Sequence, residues 1–251
     1  MKVFITGHLG YVGGHVLEKL IEEEIEYVGF DLKEGKDVTN YEQVEKEMEG
    51  CDAVIHIAGV TARSGDMRFF MNVNVEGTLN ILEAARVNKV KRVIYMSSTG
   101  YYGLDIDGEI KPKYFPIDED HPIASQGTGF GKFEDYNTSK VMAEQLCAYY
   151  GTNFMEVIVL RSGPCNSVEK QYREGFDPKT CTGYQKKAFW TRNDPLNIGV
   201  AFYETLVTEK EFTYRVYNIC NKYIDDVVFK KKTPAKISSE RFRKEICDLP
   251  L

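Results

Sequence analysis

Apolar residues near the start of the chain change their spacing from that of a strand to that of a helix and back. Residues 2–6 form a short run of β-branched and apolar side chains, and residues 7–13 are rich in glycine. Val16 and Leu20 then follow at helical spacing, and residues 26–30 return to a strand pattern. The pattern predicts a strand, a glycine turn, a helix and a second strand, in that order.

Helical and strand spacings continue to alternate along most of the chain. The predicted elements are a helix over 40–49, a strand over 52–57, a helix over 68–88, a strand over 92–97, a loop over 99–134, a helix through Tyr136 to about residue 150, and a strand over 154–160. Alternation of this kind indicates parallel strands joined by right-handed crossovers, with helices on both faces. We therefore predict an α/β fold with a doubly wound parallel sheet, whose ligands bind beyond the carboxyl ends of the strands.

The glycine turn has the composition of a dinucleotide-binding turn. Glycine lets the backbone approach a pyrophosphate closely, and the helix N-terminus that follows offers free N–H groups and a partial positive charge. Asp31 ends the second strand, where a carboxylate can bind the adenosine ribose hydroxyls and repel a 2′-phosphate. NAD is therefore favoured over NADP, although the nearby Lys33 softens the preference. The predicted cofactor-binding residues of the turn are Gly7, Leu9, Gly10, Tyr11, Val12 and Gly13.

Tyr136 and Lys140 are spaced to lie one helical turn apart on a single helix face. A cation beside a tyrosine favours the phenolate and lowers the tyrosine pKa towards the working range, which makes the pair a candidate acid/base. The plain alternative is a surface tyrosine with a solvated lysine. The other motifs of the chain argue against that alternative.

Composition and charge exclude several classes of function. The 251 residues are 43% hydrophobic and 28% charged, enough for a sizeable core in one domain or two lobes. The net charge of -6 argues against nucleic-acid and anionic-membrane partners. No apolar stretch is long enough to cross a membrane, and the first residues have the pattern of a core strand, so we expect no signal peptide and a cytoplasmic location. The six scattered cysteines predict reduced thiols, and the histidine spacing predicts no metal site.

Taken together, these motifs resemble the extended short-chain dehydrogenase/reductases, in particular the NAD-dependent epimerase/dehydratase group that acts on sugars and sugar nucleotides. The matching segments are residues 7–13, Asp31, 37–38, 56–59, 74–78, 97–103, Tyr136 with Lys140, 160–161 and 163–164. The match covers roughly residues 1–164. It implies a Rossmann fold and NAD as the cofactor.

The resemblance also implies cofactor contacts outside the glycine turn. Asp37 and Val38 would flank the adenine. Ala58 and Gly59, after Ile57, would line the inner ribose and the pyrophosphate. All five residues are therefore candidate cofactor-binding residues.

The same resemblance implies a catalytic set. Ser98 would hydrogen-bond the sugar hydroxyl or carbonyl that reacts, although a polar strand end is the simpler explanation of a serine there. Tyr136 would remove the hydroxyl proton while the nicotinamide takes the hydride from the same carbon. Lys140 would keep Tyr136 charged and hold the nicotinamide ribose. We interpret Asn74 as structural, because an Asn before a helix-packing glycine commonly satisfies backbone groups.

Departures from the family narrow the substrate. Dehydratases of this group carry an Asp-Glu pair after the active-site Ser/Thr, whereas this chain has Thr99 and Gly100, so elimination is disfavoured. Thr99 becomes a candidate substrate contact. The segment that supplies the nucleotide clamp in sugar-nucleotide enzymes is short here, and Arg161 or Arg192 is predicted to meet an anionic group of the substrate. We expect residues 99–134 and 165–190 to lie over the nicotinamide end of the sheet.

Three functions remain open. The first is a sugar-nucleotide epimerase or oxidoreductase, and the second is a dehydrogenase of a free sugar or uronate. The third is a dinucleotide-binding sensor or scaffold without turnover. The predicted division of the chain is an NAD-binding core over 1–164, to which 194–221 return, and a small substrate lobe formed by 165–193 and 222–251. A homodimer is also left open.

Overall fold

A computed structural model describes most of the chain. The described residues are 1–61, 65–102, 113–123, 134–163, 165, 195–220, 223–226, 231–234 and 238–247, with only the backbone described over 223–226 and 231–234. The strands are β1 (Lys2–Thr6), β2 (Glu26–Phe30), β3 (Ala53–His56), β4 (Arg92–Ser98), β5 (Glu156–Ser162), β6 (Tyr214–Ile219), β7 (Tyr223–Asp226) and β8 (Lys231–Pro234). The helices are α1 (Tyr11–Glu22), α2 (Tyr41–Glu47), α3 (Met67–Phe70), α4 (Gly77–Val87), α5 (Glu134–Asn153), α6 (Pro195–Val207) and α7 (Glu240–Glu245). Short 3₁₀ helices span Leu32–Glu34 and Thr99–Tyr102, and a π-helix spans Met71–Glu76.

Six strands form one parallel sheet in the order β2-β1-β3-β4-β5-β6. The doubly wound α/β fold predicted from the sequence is confirmed. The chain runs from β1 outward to β2 and then returns to the other side of β1 for β3, so the strand order reverses between β1 and β3. In such sheets a crevice opens at this reversal, beyond the carboxyl ends of the strands. β7 and β8 form a separate antiparallel pair.

Both faces of the sheet are buried, which explains why its central strands are nearly continuous apolar runs. Phe4 and Val93 belong to the core on the face covered by α2, α4 and α5. Ile5 and Ile94 belong to the core on the opposite face, with α1 and α6. Successive side chains of a strand point to opposite faces, so each strand contributes to both cores.

The helix predicted over 68–88 is divided into α3, the π-helix and α4. The division changes the direction of the side chains around Asn74, which is buried. Single-turn π-helical segments inside α-helices are frequent at functional sites. This one lies beside the loop that follows β3.

β6 pairs with β5, so residues 214–219 belong to the main sheet. The division into a core and a small substrate lobe stays a prediction. Within the described parts of the chain, no helix is long and apolar enough to cross a bilayer. The same parts contain no group of three or more His, Cys, Asp or Glu side chains that could hold a metal ion.

Candidate active site

A cleft of about 740 Å³ opens at the carboxyl edge of the sheet. The predicted site residues that line it are Gly7, Gly10, Tyr11, Val12, Gly13, Asp31, Asp37, Val38, Ile57, Ala58, Gly59, Ser98, Thr99, Tyr136 and Lys140. The lining also includes residues that the sequence did not single out, among them Phe69, Asn72, Met96 and Asn137. The fold therefore brings the predicted dinucleotide turn and the predicted catalytic set to one cleft.

The glycine turn is shaped by close backbone contacts that only glycine permits. Gly7 has a φ of +71°, and a Cβ there would lie 2.7 Å from the Ala58 backbone nitrogen. A Cβ on Gly13 would lie 2.0 Å from the carbonyl oxygen of Gly7. The start of α1 is thus held against the ends of β1 and β3. The N-terminus of a helix carries a partial positive charge and suits an anion, and here it faces the cleft.

Asp31 is buried at the end of β2, and its carboxylate orders the backbone around it. The Oδ1 atom accepts a hydrogen bond from the Lys33 N–H at 2.9 Å, and Oδ2 accepts one from the Leu9 N–H at 3.0 Å. The Lys33 ammonium donates to the Leu9 carbonyl at 2.6 Å. A carboxylate oxygen accepts more than one hydrogen bond, so Asp31 retains capacity for a ribose hydroxyl. Leu9 takes part through its backbone, while its side chain does not line the cleft.

Ser98 and Tyr136 meet in the cleft. The Ser98 Oγ accepts a hydrogen bond from the Gly100 N–H at 3.0 Å, and the Ser98 hydroxyl is hydrogen-bonded to Tyr136. Burial raises the pKa of Tyr136, and the hydrogen bond to Ser98 acts in the opposite direction. The sequence predicted that Lys140 lowers the pKa of Tyr136, whereas in the structure burial is the largest effect and raises it. Phe70 packs its edge against the Tyr136 ring, with 6.0 Å between centroids.

Lys140 is buried, and its ammonium points into the end of the sheet. The Nζ atom donates to the Met96 carbonyl at 3.0 Å and to the Tyr95 hydroxyl at 3.2 Å. Burial lowers the pKa of Lys140 to about 8, and the carboxylate of Glu144, one turn further along α5, works against that lowering. A Cβ on Gly59 would lie 3.8 Å from this Nζ, so the ammonium lies close beneath a residue of the cleft wall.

Asn74 fastens the loop after β3 to the helix that carries the catalytic candidates. Its Oδ1 accepts from the Val60 N–H at 2.8 Å, and its Nδ2 donates to the Val60 carbonyl at 3.2 Å and to the Ser139 Oγ at 3.0 Å. Ser139 in turn donates to the Tyr136 carbonyl at 2.7 Å. The contacts agree with the structural interpretation of Asn74.

Gly100 leaves no room for a side chain behind Ser98. A Cβ at Gly100 would lie 2.2 Å from the Asn137 Oδ1 and 3.2 Å from the Ser98 Oγ. Thr99, between them, is buried and lines the cleft. The sequence lacks the acidic pair that dehydratases carry at these two positions. The close packing around Gly100 leaves no space for the second acidic side chain.

Arg161 does not occupy the position expected of a substrate contact. It is 3% exposed, and its Nε and Nη2 donate to Glu144 at 3.0 and 2.7 Å. Its Nη1 donates to the Tyr102 hydroxyl at 2.9 Å, and the guanidinium lies 3.4 Å from the Tyr101 ring centroid. These donors are committed to partners inside the protein, so the predicted contact with an anionic substrate group is not supported. Arg192, the other candidate, lies outside the described residues.

The predicted covering segments are described only in part. Residues 103–112, 124–133 and 166–190 lie outside the described residues, and with them most of the predicted substrate lobe. In the described portion of the first segment, the His121 Nδ1 hydrogen-bonds the Pro122 carbonyl and its Nε2 accepts from the Lys113 N–H at 3.0 Å. This arrangement orders residues 113–123 beside Tyr102.

A doubly wound sheet, a glycine turn at the first strand and a Ser/Tyr/Lys set in one cleft define the class of short-chain dehydrogenase/reductases. The model of the NAD dependent epimerase/dehydratase family matches residues 3–176. The chain belongs to this family.

Similar proteins include reductases and epimerases. A 2-alkyl-3-oxoalkanoate reductase of Shewanella oneidensis is 30% identical over 158 residues, which cover 57% of this chain and 37% of the reductase. A UDP-glucose 4-epimerase of Bacillus subtilis is 30% identical over 173 residues, which cover 58% of this chain and 47% of the epimerase. The chain thus spans about half the length of these curated relatives or less.

Solved structures share the fold. A short-chain dehydrogenase/reductase superfamily protein from Agrobacterium tumefaciens with bound NAD has a TM-score of 0.75 at 17% identity, covering 100% of this chain and 93% of the other. The UDP-glucose 4-epimerase of Thermus thermophilus in complex with NAD has a TM-score of 0.69 at 18% identity, covering 97% and 92% of the two chains. At this level of identity the likeness concerns the fold.

Proposed function

We propose that this chain is an NAD-dependent epimerase or oxidoreductase that acts at a hydroxyl-bearing carbon of a sugar nucleotide. The observation that carries the proposal is the meeting of Ser98, Tyr136 and Lys140 in the cleft that begins at the dinucleotide turn. Neither the turn nor the catalytic set alone would support hydride transfer. A non-catalytic sensor of the same fold has no chemical need for all three side chains.

The residues present fit a dinucleotide. The backbone around Gly7 and Gly13 is packed so closely that any side chain would fill the space next to the start of α1, where a pyrophosphate can approach the helix N–H groups. Asp31 can accept hydrogen bonds from the adenosine ribose diol. Asp37 and Val38 line the same end of the cleft and would flank the adenine. Ile57, Ala58 and Gly59 would face the inner ribose and pyrophosphate; when bound, the cofactor supplies the acceptor for hydride.

The chain's own residues would move the proton. Ser98 would hydrogen-bond the reacting hydroxyl, and the Tyr136 phenolate would accept its proton as the carbon loses hydride. Burial raises the Tyr136 pKa, so the phenolate needs a compensating positive charge. Lys140 brings that charge to the same cleft from the next turn of α5, and it would also hold the nicotinamide ribose.

Sugar nucleotides are the proposed substrates because relatives named UDP-glucose 4-epimerase recur among the similar proteins. A neighbouring structure, a UDP-glucose 4-epimerase from Bifidobacterium longum, was solved in complex with NAD⁺ and UDP. Thr99 and Gly100 favour oxidation or epimerisation over elimination. Arg192 stays the candidate contact for a substrate anion. A cytoplasmic location and a homodimer are proposed with the same function.

The test begins with purified protein examined by mass spectrometry for retained NAD or NADH. UDP-sugars and free uronates are then offered in parallel, while NADH absorbance and the sugar products are followed. Interconversion of two UDP-sugars without net NADH supports the epimerase, and NADH formed with a free uronate supports the sugar dehydrogenase instead.

The control is Tyr136→Phe, which removes the proton acceptor and little volume. We expect it to fold and bind the cofactor while its turnover falls by about 10²- to 10⁴-fold. Turnover at the parent level would contradict the catalytic role of Tyr136. Binding of NAD with no turnover of any sugar by the parent protein would favour the sensor or scaffold.

A further inference from the structure

We propose that Tyr95 is a positioning residue for Lys140, and that a buried hydrogen-bond chain through Thr78, His56 and Thr6 fastens this lysine to the wall of the cofactor cleft. The inference rests on the proposed function, because it concerns how the catalytic lysine is held. It assigns a task to the polar groups of four buried side chains.

The chain begins at the lysine ammonium. Lys140 is 6% exposed, and its described hydrogen-bond acceptors are the Met96 carbonyl and the Tyr95 hydroxyl. The Nζ atom also lies 4.9 Å from the Tyr95 ring centroid, close enough for a cation–π contact. An ammonium has three N–H donors, so these two bonds leave one donor for the cleft.

The direction of each further bond follows from the protons available. Thr78 donates its hydroxyl proton to the Asn74 carbonyl at 2.6 Å. Its oxygen accepts from the His56 Nε2 at 3.1 Å, and the Thr78 side chain is also hydrogen-bonded to that of Tyr95. An ammonium has no lone pair, so the Tyr95 oxygen is the acceptor in its bond with Lys140. Burial raises the pKa of Tyr95 well above its usual value, so the phenol keeps its proton.

His56 continues the chain as a neutral imidazole. Burial, helped by the charge of Lys140, lowers its pKa to about 3. With its proton on Nε2, the Nδ1 atom accepts from the Thr6 hydroxyl at 2.7 Å. The Thr6 oxygen in turn accepts from the backbone N–H groups of Ile57 and Ala58 at 3.1 and 3.0 Å.

The hydrogen bonds of this chain thus run without a gap from Lys140 to Thr6, and its side chains are buried. The geometry fixes Lys140 against the residues that follow β3, which line the cofactor cleft. A buried hydrogen-bond network of this kind favours one arrangement over others. Loss of the Tyr95 hydroxyl would leave the buried ammonium with the Met96 carbonyl as its single described acceptor.

The titratable groups that face Lys140 come from each element packed around it. They are Tyr95 on β4, His56 on β3, and Tyr136, Glu144 and Cys147 on α5. Burial holds the Cys147 thiol protonated by raising its pKa. Glu144 is paired with Arg161, so its charge is shared between two cations. Tyr95 is thus the group whose removal changes the hydrogen bonding of Lys140 without changing a formal charge.

The test measures the lysine directly by nuclear magnetic resonance of protein labelled with ¹⁵N at the lysine side chains, titrated with pH. Lys140→Met identifies the signal. In Tyr95→Phe, which keeps the ring and loses the hydroxyl, we expect the titration midpoint of Lys140 to fall by about one pH unit, because a hydrogen bond that stabilises the charged form is lost. Thr78→Val should give a smaller fall, and Thr78→Ser should restore the parent value.

The matched control is Tyr150→Phe, which removes a tyrosine hydroxyl of α5 that bonds Glu83 and lies outside the cleft. Its Lys140 midpoint should equal that of the parent. An unchanged midpoint in Tyr95→Phe, or equal shifts in Tyr95→Phe and Tyr150→Phe, would overturn the inference.

Turnover separates this inference from the proposed function. If Tyr136→Phe is inactive and Tyr95→Phe shows the shifted Lys140 midpoint, the upper limb of the rate–pH profile of Tyr95→Phe should move to lower pH by a similar amount. If Tyr136→Phe retains full turnover, the proposed function fails whatever the lysine signal shows. If the lysine signal fails to shift while Tyr136→Phe is inactive, the inference alone is wrong.

Discussion

Replacement of Lys140 by Met should make the protein more stable near neutral pH while it abolishes turnover. Burial lowers the Lys140 pKa from 10.5 to about 8, which means that the folded state holds the charged lysine less favourably than the unfolded chain does. Each pKa unit corresponds to about 1.4 kcal/mol, so the buried charge costs about 3 kcal/mol of folding free energy at neutral pH. The long apolar side chain of Met removes the charge and fills similar space.

The sign of the pH dependence follows from the same values. The cost is fully present below pH 8, where both states are charged, and it disappears as pH rises towards 10.5, where the folded state has lost its proton and the unfolded state is losing it. Urea denaturation should therefore show a difference in the free energy of unfolding between parent and Lys140→Met that is largest near neutral pH and vanishes towards pH 10.5. Lys46→Met, on an exposed position of α2, controls for the methionine itself. The reasoning would be refuted if Lys140→Met were less stable than the parent at neutral pH, or if the difference in stability did not change with pH.

Three further changes test separate parts of the site. Asp31→Ala should reduce the preference for NAD over NADP by about 10- to 100-fold, which is the loss expected for hydrogen bonds to a charged group. Titration of parent and variant with both reduced cofactors measures this preference. Equal preference in the two proteins would contradict the ribose contact. Gly100→Ala should lower turnover at least about tenfold with cofactor binding unchanged, because its Cβ would lie 2.2 Å from the Asn137 Oδ1. Adding Asn137→Ala should restore part of the loss. Parent-level turnover in Gly100→Ala would rule out this packing effect. Glu144→Gln should lower the free energy of unfolding, measured by urea denaturation, by about 3–5 kcal/mol, because it leaves Arg161 buried without its carboxylate. The double change Glu144→Met/Arg161→Met should recover most of that loss. A smaller loss in Glu144→Gln than in the double variant would contradict the pairing.

Much of the architecture could be predicted from spacing, because a doubly wound sheet buries both faces of its strands and leaves amphipathic helices between them. The strand predicted over 92–97 became β4 with one more residue, and the strand over 154–160 shifted by two residues to β5. Strand and helix ends depend on backbone hydrogen bonds that residue types specify weakly. The π-helix inside the long predicted helix could not be found, because no residue type or motif marks the place where a helix takes one wider turn.

Arg161 shows why a side chain on a buried strand is difficult to interpret from sequence. All seven residues of β5 are buried, so the usual alternation of exposed and buried positions gave no sign of its direction. One sign was available elsewhere: Glu144 follows Lys140 by one helical turn and so shares the face of α5 that carries Tyr136. An acidic residue on that inward face requires a buried cation, and Arg161 provides it.

Tyr95 and Asn137 were missed for a different reason. Tyr95 has the pattern of an ordinary aromatic residue of a strand, and its hydroxyl gains a task only when folding brings Lys140 to it from a distant helix. Asn137 directly follows Tyr136, yet its contact with Gly100 depends on how α5 meets the end of β4. Contacts between distant segments depend on the tertiary structure, and no local sequence pattern predicts them.

The most direct test of the central claim is a single-turnover measurement of NADH absorbance. Protein loaded with NAD is mixed with a UDP-sugar, in parallel for the parent and for Tyr136→Phe, after binding of NAD to both has been verified. The account predicts a rapid NADH signal in the parent and a signal slowed by about 10²- to 10⁴-fold in Tyr136→Phe. The same rate in both proteins, or neither NADH nor an interconverted sugar from the parent with any UDP-sugar, would contradict hydride transfer from a sugar nucleotide with Tyr136 as the acid/base.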